Sequence, residues 1–314
     1  MLRQDAVQAG LELPAATIVR PGPSVVQVAR DYLALTKPRI VTLLLITTVP
    51  AMMLADGGLP SLWLVLLTLA GGTLSAAGAN AINCYLDRDI DGIMQRTRGR
   101  PLPAGAIEPE RALLFGVALG LAGFEVLALG VNLLSAALAT AALLFYVFVY
   151  TMWLKRSSPQ NIVIGGAAGA MPPVIGWAAV TGSLDWPALV LFGIIFLWTP
   201  PHFWALAQRY RADYARAGVP MLPVVRNEAE TNRQILLYSV LVVAASVLLA
   251  PIGGAGYLYL GTAIALGAGF LWLALRLWRN PRPSASRALF LYSLLYLGAL
   301  FVAIAVDRLV ALPG

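Results

Sequence analysis

The chain has 314 residues, 59% of them hydrophobic and 12% charged, with a mean hydropathy of +0.78. That much apolar side chain exceeds what one water-soluble core can hide, so an ordinary soluble globule is excluded. The net charge is +7, and the one cysteine, Cys84, excludes an internal disulfide, a multi-cysteine zinc cage and haem attachment through paired cysteines.

Residues 1–31 hold Pro14, Pro21 and Pro23 with charges of both signs, and lack an apolar core with a cleavage site. They are expected to form a mobile cytoplasmic tail rather than a signal peptide, and Asp5 and Glu12 argue against a mitochondrial transit peptide. Residues 32–314 are expected to be one all-α domain, a polytopic membrane helix bundle. Nine apolar runs are long enough to span a bilayer: about 39–56, 62–84, 112–129, 132–153, 161–180, 187–209, 234–252, 257–277 and 288–306. A membrane barrel would instead show short alternating segments. Every lysine and arginine except Arg308 precedes or opens run one, or lies in or beside alternate connections, which places the N-terminus and those loops in the cytoplasm.

Run two ends in a charged stretch, Asn83-Cys84-Tyr85-Leu86-Asp87-Arg88-Asp89-Ile90-Asp91, followed by the basic loop Arg96-Thr97-Arg98-Gly99-Arg100-Pro101-Leu102-Pro103. If the helix continues, Asn83, Asp87 and Asp91 share one face, because each four-residue step drifts only about 40°. Asp89 falls roughly opposite. Three oxygen-bearing side chains stacked at a helix end suit a hard cation, above all Mg2+ held together with a phosphate, and the loop arginines could grip the rest of that phosphate. The competing reading is a solvated helix end whose acids and arginines neutralise one another. Cys84, inside this motif, reads as a small packing residue.

Runs three and four are joined only by a turn near Gly130-Val131-Asn132. In run five, Gly165-xxx-Gly169 reads as close helix packing in preference to a ligand approach. Pro172-Pro173 in run five and Pro200-Pro201 in run six must each disturb their helix. Irregular backbone at membrane depth is tolerated only against protein or a water-filled cavity, so both breaks are expected to face a central chamber.

The Asn83, Asp87, Asp91 pattern with its trailing basic loop resembles the first signature of the intramembrane aromatic prenyltransferase superfamily. Further matches point to its haem-farnesylating branch: Leu35-Thr36-Lys37-Pro38-Arg39, Tyr150-Thr151-Met152-Trp153-Leu154-Lys155-Arg156, Gly169-Ala170-Met171-Pro172-Pro173-Val174-Ile175-Gly176, Trp198-Thr199-Pro200-Pro201-His202-Phe203-Trp204, and Asp213-Tyr214 leading to Ala217-Gly218-Val219-Pro220-Met221-Leu222-Pro223. The matches run from about Tyr32 to Tyr238; the remainder fits only as apolar helices of the right number. Many superfamily members carry two aspartates four apart in the second loop. Here the position four after Asp213 is Ala217, which agrees with the haem branch and leaves the ligands of any second metal open.

The resemblance implies farnesyl transfer from farnesyl diphosphate to a vinyl group of haem B, with water added, giving haem O and diphosphate on the way to the haem A of terminal oxidases. It also implies a bacterial inner-membrane location, with haem A synthase or oxidase assembly factors as partners. Asn83, Asp87 and Asp91 would hold Mg2+ on one side of the diphosphate and Asp213 would contribute from the other. Arg88, Arg96, Arg100, Lys155, Arg156 and Arg209 are candidates for its free oxygens. No dedicated general base is evident. His202, the only histidine, is either a hydrogen-bonded core residue or a group that binds the haem substrate; on an unbroken helix it would share an azimuth with Arg209 and Asp213. Two other readings stand beside this one: prenylation of a smaller aromatic acceptor, and transport of an anionic lipid or metabolite past a ring of arginines. The transporter reading leaves the Asn/Asp/Asp ladder unexplained.

Overall fold

The computed structural model describes residues 24–310. Within them the chain is helical, without a strand. In chain order the helices are α1 Val25–Leu35, α2 Pro38–Asp56, α3 Leu62–Leu86, α4 Arg88–Ile93, α5 Pro109–Gly130, α6 Leu133–Ser157, α7 Asn161–Thr181, α8 Trp186–Arg209, α9 Arg211–Arg216, α10 Leu222–Val225, α11 Glu228–Gly253, α12 Tyr257–Arg279 and α13 Pro283–Val310. Among the described residues, eight of these, α3, α5–α8 and α11–α13, are long and apolar enough to cross a membrane. The first expected span, α2, has 19 residues. Each of the nine apolar runs thus becomes one helix. The segment 1–23 of the expected tail lies outside the described residues. The expected boundary at residue 31 falls inside α1, which Ser24 caps by accepting a hydrogen bond from the Gln27 amide.

Six helices, α2, α3, α6, α7, α8 and α13, surround one cavity of about 520 Å³; α5, α11 and α12 pack outside them. The outward faces are apolar, with Leu114 70% and Leu121 62% exposed on α5, as lipid contact demands.

The tightest packing is between α3 and α5. A Cβ added to Gly78 would stand 2.6 Å from the Gly116 carbonyl oxygen, and one added to Gly123 would stand 2.7 Å from the Ser75 nitrogen. With no side chain between them the two backbones touch, which in lipid replaces the missing hydrophobic drive with dispersion contact. The expected packing role of Gly165 fits its setting, since a Cβ there would run into the Tyr150 ring. Gly169 instead has open space before it, and both glycines line the cavity.

The two proline pairs behave differently. α7 divides at Ala170, and Met171-Pro172-Pro173 opens its second half, where a missing amide hydrogen goes unnoticed. Pro172 lines the cavity. Pro200 and Pro201 do not end α8, and their neighbours Trp198, Thr199, His202 and Phe203 are the residues that line the cavity.

At the opposite end, buried Asp307 of α13 accepts hydrogen bonds from the Gly256 amide at 2.6 Å and the Tyr259 amide at 3.2 Å. It satisfies the orphan donors at the start of α12, a capping role taken by a neighbouring helix. Arg308, beside it, donates to the Gly254 carbonyl.

Candidate active site

The acidic stretch keeps its helical phase across the junction of α3 and α4. The Asp87 amide donates to the Asn83 carbonyl at 2.9 Å and the Asp91 amide to the Asp87 carbonyl at 2.7 Å. Asn83, Asp87 and Asp91 therefore lie on one face, all buried and all lining the cavity. Asp89 points away, its side chain 61% exposed, and pairs with Arg156 at 2.8 Å. That guanidinium lowers the Asp89 carboxyl to about 2.

A different segment supplies a cation to each rung of this ladder. Lys37 Nζ donates to Asn83 Oδ1 at 2.6 Å, Lys155 Nζ to Asp87 Oδ2 at 2.5 Å, and Arg100 to Asp91 Oδ2 at 2.6 Å. Asn83 Nδ2 in turn donates to Asp87 Oδ2 at 2.7 Å and to Thr151 Oγ1 at 3.0 Å. Lys37 reaches Asn83 from a left-handed backbone, φ 52°, the only positive φ outside glycine among the described residues. Burial pulls its ammonium below the ordinary lysine range.

Arg100 is placed by its loop. Thr97 Oγ1 donates to the Asp91 carbonyl at 3.0 Å and the Arg100 amide to the Thr97 carbonyl at 2.9 Å, a run of turns that carries the guanidinium back onto Asp91.

Lys155 is placed by helix pitch. Residues Phe145–Leu154 of α6 form a π-helix. At roughly 4.4 residues per turn, Tyr146 and Lys155 come within about 20° of one another; in an α-helix they would be about 180° apart. The wider turn lets Tyr146, Tyr150 and Lys155 line the same cavity. Thr151 Oγ1 donates to the Tyr146 carbonyl, five residues back, at 2.8 Å.

The second loop closes the polar end with apolar groups. Gly218, φ 66°, turns the chain so that the Val219 amide meets the Tyr214 carbonyl at 3.0 Å. Tyr214, Val219 and Met221 then pack with Ile90, Met94 and Ile162 and line the cavity.

The other expected site residues divide. Arg96 lines the cavity and lies 5.7 Å over the Tyr210 ring. Arg88 is exposed and folds back on Tyr85, and Arg156 is engaged with Asp89 and the Leu86 carbonyl. Asp213 is buried and tied to Arg216, outside the cavity lining. The common azimuth expected for His202, Arg209 and Asp213 is corrected by the structure. α8 ends at Arg209, Tyr210 turns the chain at φ −106° and ψ 20°, and Arg209 is exposed against Tyr210. His202 does line the cavity, buried, with Nδ1 2.7 Å from Ser293 Oγ.

Sequence reasoning gave no site role to Lys37, Arg39, Thr151, Tyr146 or Ser293. The Leu35–Arg39 motif was a signal for Lys37, but its contact with Asn83 depends on the left-handed turn. No group of three His, Cys, Asp or Glu side chains arranged for a metal occurs among the described residues. A cation here would therefore need ligands from its substrate, as Mg2+ commonly does. The ladder fits such an ion in one respect: Asp87 Oδ1 is buried without a hydrogen-bond partner, the Arg156 guanidinium standing 4.0 Å away, and a buried carboxylate oxygen short of a hydrogen bond is costly.

Comparison with known proteins gives a consistent picture. A profile described as the UbiA prenyltransferase family matches residues 44–303. The chain is 57% identical over 305 residues to "Protoheme IX farnesyltransferase 1" of Saccharopolyspora erythraea, covering 96% of this chain and 97% of that one. It is 59% identical over 283 residues to "Protoheme IX farnesyltransferase" of Symbiobacterium thermophilum, covering 90% and 95%. Among solved structures, a digeranylgeranylglyceryl phosphate synthase superposes with a TM-score of 0.75 at 21% identity, over 90% of this chain and 98% of that one. A UbiA homologue from Archaeoglobus fulgidus, bound to DMAPP and Mg2+, gives 0.65 at 19% identity over 90% and 100%.

Proposed function

The chain belongs to the UbiA prenyltransferase family, and from that premise we propose that it is a protohaem IX farnesyltransferase. It transfers the farnesyl group of farnesyl diphosphate to a vinyl group of haem B, with addition of water, giving haem O and diphosphate. The relatives of that name support the acceptor. The observation that carries the chemistry is the ladder of Asn83, Asp87 and Asp91 on the cavity wall, with Lys37, Lys155 and Arg100 against it.

Asn83, Asp87 and Asp91 would hold Mg2+ together with diphosphate oxygens. The ion supplies positive charge against the charge that develops on the leaving diphosphate. Lys37, Lys155, Arg96 and Arg100 bind the remaining oxygens. Asp213 joins from the second loop once released from Arg216. The allylic group then lies between the ladder and the apolar depth of the cavity, beside Tyr146 and Tyr150, whose rings stack at 5.3 Å. Their faces favour an adjacent cation, and the closed second loop keeps bulk water from capturing it early. His202, deeper in the cavity, orients the haem. The concentration of basic residues at this polar end supports a cytoplasmic orientation for it in a bacterial inner membrane.

The test is mass spectrometry of haem from membranes with and without the protein. A farnesylated, hydrated haem that requires the protein, with diphosphate release that requires both haem and Mg2+, supports this reading. Unchanged haem B sinks it.

A further inference from the structure

Trp198 and His202 lie one turn apart on α8, and a single residue of α13 takes the polar group of each. Trp198 Nε1 donates to the Ser293 carbonyl at 2.8 Å, and His202 Nδ1 lies 2.7 Å from the Ser293 hydroxyl. The hydroxyl has one hydrogen, and it is directed at the Phe290 carbonyl, 2.7 Å away. With that hydrogen on the Phe290 carbonyl, Ser293 Oγ accepts from the ring, so the favoured tautomer carries its proton on Nδ1 and leaves Nε2 as a bare lone pair. The opposite tautomer would turn the hydroxyl away from Phe290 and lose that bond, a preference of roughly tenfold.

The ring cannot turn to escape this choice. It stacks on Trp198 at 4.2 Å and 19°, and Phe290 lies against it at 4.8 Å. No hydrogen bond engages Nε2 among the described residues, and His202 lines the cavity while Ser293, fully buried, does not.

We propose that Ser293 is a positioning residue for the acceptor: it locks His202 in the Nδ1–H tautomer and presents an unprotonated Nε2 to the cavity. A neutral imidazole nitrogen held in this way suits the iron of a planar haem, and the bond from Nδ1–H to Ser293 raises the basicity of that nitrogen. This rests on the reading of the acceptor as haem and of His202 as its orienting group.

The test uses the full chain in lipid nanodiscs with added haem B, followed by optical titration and by the iron–histidine stretch of the ferrous complex. Ser293→Ala is expected to bind haem roughly tenfold more weakly and to lower the stretching frequency, because Nδ1–H loses its acceptor. Ser293→Thr, which keeps the hydroxyl, is expected to restore both. KM for farnesyl diphosphate should not move in either. If Ser293→Ala does not fold, Ser293→Cys, a weak acceptor, should give an intermediate frequency. Wild-type haem affinity and frequency in the folded Ala or Cys variant overturns the role of Ser293. His202→Ala separates the two readings: loss of the iron–histidine mode with an unchanged Ser293 variant removes only the positioning role. An unchanged spectrum in His202→Ala removes the haem-orienting reading itself.

Discussion

Lys37 and Asn83, 46 positions apart, meet through a 2.6 Å hydrogen bond that ties the turn between α1 and α2 to the first rung of the acidic ladder. The turn is stitched to α3 twice more, by Asn80 Nδ2 on the Thr36 carbonyl at 3.2 Å and by Cys84 Sγ on the Leu35 carbonyl at 3.8 Å. Lys37→Gly should relieve about 1 kcal/mol of backbone strain while removing the ammonium. Thermal stability is expected to hold or rise as the rate of diphosphate release falls ten- to hundredfold, the equivalent of about 1.5–3 kcal/mol for a bond to a charged group. Parallel melting and kinetic measurements decide it; a fall in stability with unchanged rate would make Lys37 purely structural.

Asp87→Asn keeps shape and most hydrogen bonds but removes a charge from the centre of the ladder. Activity should drop by about 10³-fold or more, while Asp89→Asn, on the outer face, should leave it within a few-fold of the unmodified protein. Diphosphate release under saturating substrates measures both. Equal damage would mean that the two faces of α4 share one role.

The Asp89–Arg156 pair also sets an acid limit. Because Arg156 holds the folded-state carboxyl at about 2, against an ordinary 3.8, the pair's contribution is complete above about pH 4 and is lost as pH falls through about 2. The difference in melting temperature between the unmodified protein and Asp89→Asn should be flat from pH 5 to 8 and shrink only below 4. A slope near neutrality would contradict the pairing.

Gly78→Ala should force α3 and α5 apart, because its Cβ meets backbone that cannot rotate away. A loss of about 1–3 kcal/mol is expected. Gly193→Ala, which meets nothing within 4 Å on α8, should be neutral or mildly stabilising. Equal melting temperatures for the two variants would rule out backbone contact as the source of stability.

The helices were legible in the chain because lipid leaves few alternatives to a long apolar helix. The ladder was legible because a spacing of four survives any helix that stays regular, and α3 into α4 does. The relation among His202, Arg209 and Asp213 failed for the converse reason: it assumed regularity through Tyr210, where no proline or glycine marks the break. Partners were harder to read than positions. Nothing in the local sequence says that Arg156 turns outward to Asp89 or that Asp307 completes a helix 50 residues earlier. Such contacts depend on which helices become neighbours.

The π-helical segment of α6 has a consequence for how the chain tolerates change. Before Phe145 the helix keeps step with α3, where Ser75 Oγ donates to the Ala139 carbonyl at 3.3 Å; after it, the same helix must keep step with the acids. The wide turns act as a vernier between two phases that one uniform screw cannot match. Removing a single residue there, Val149 for instance, would rotate everything beyond it by about 80° and swing Lys155 off Asp87, although no side chain of the site had been touched.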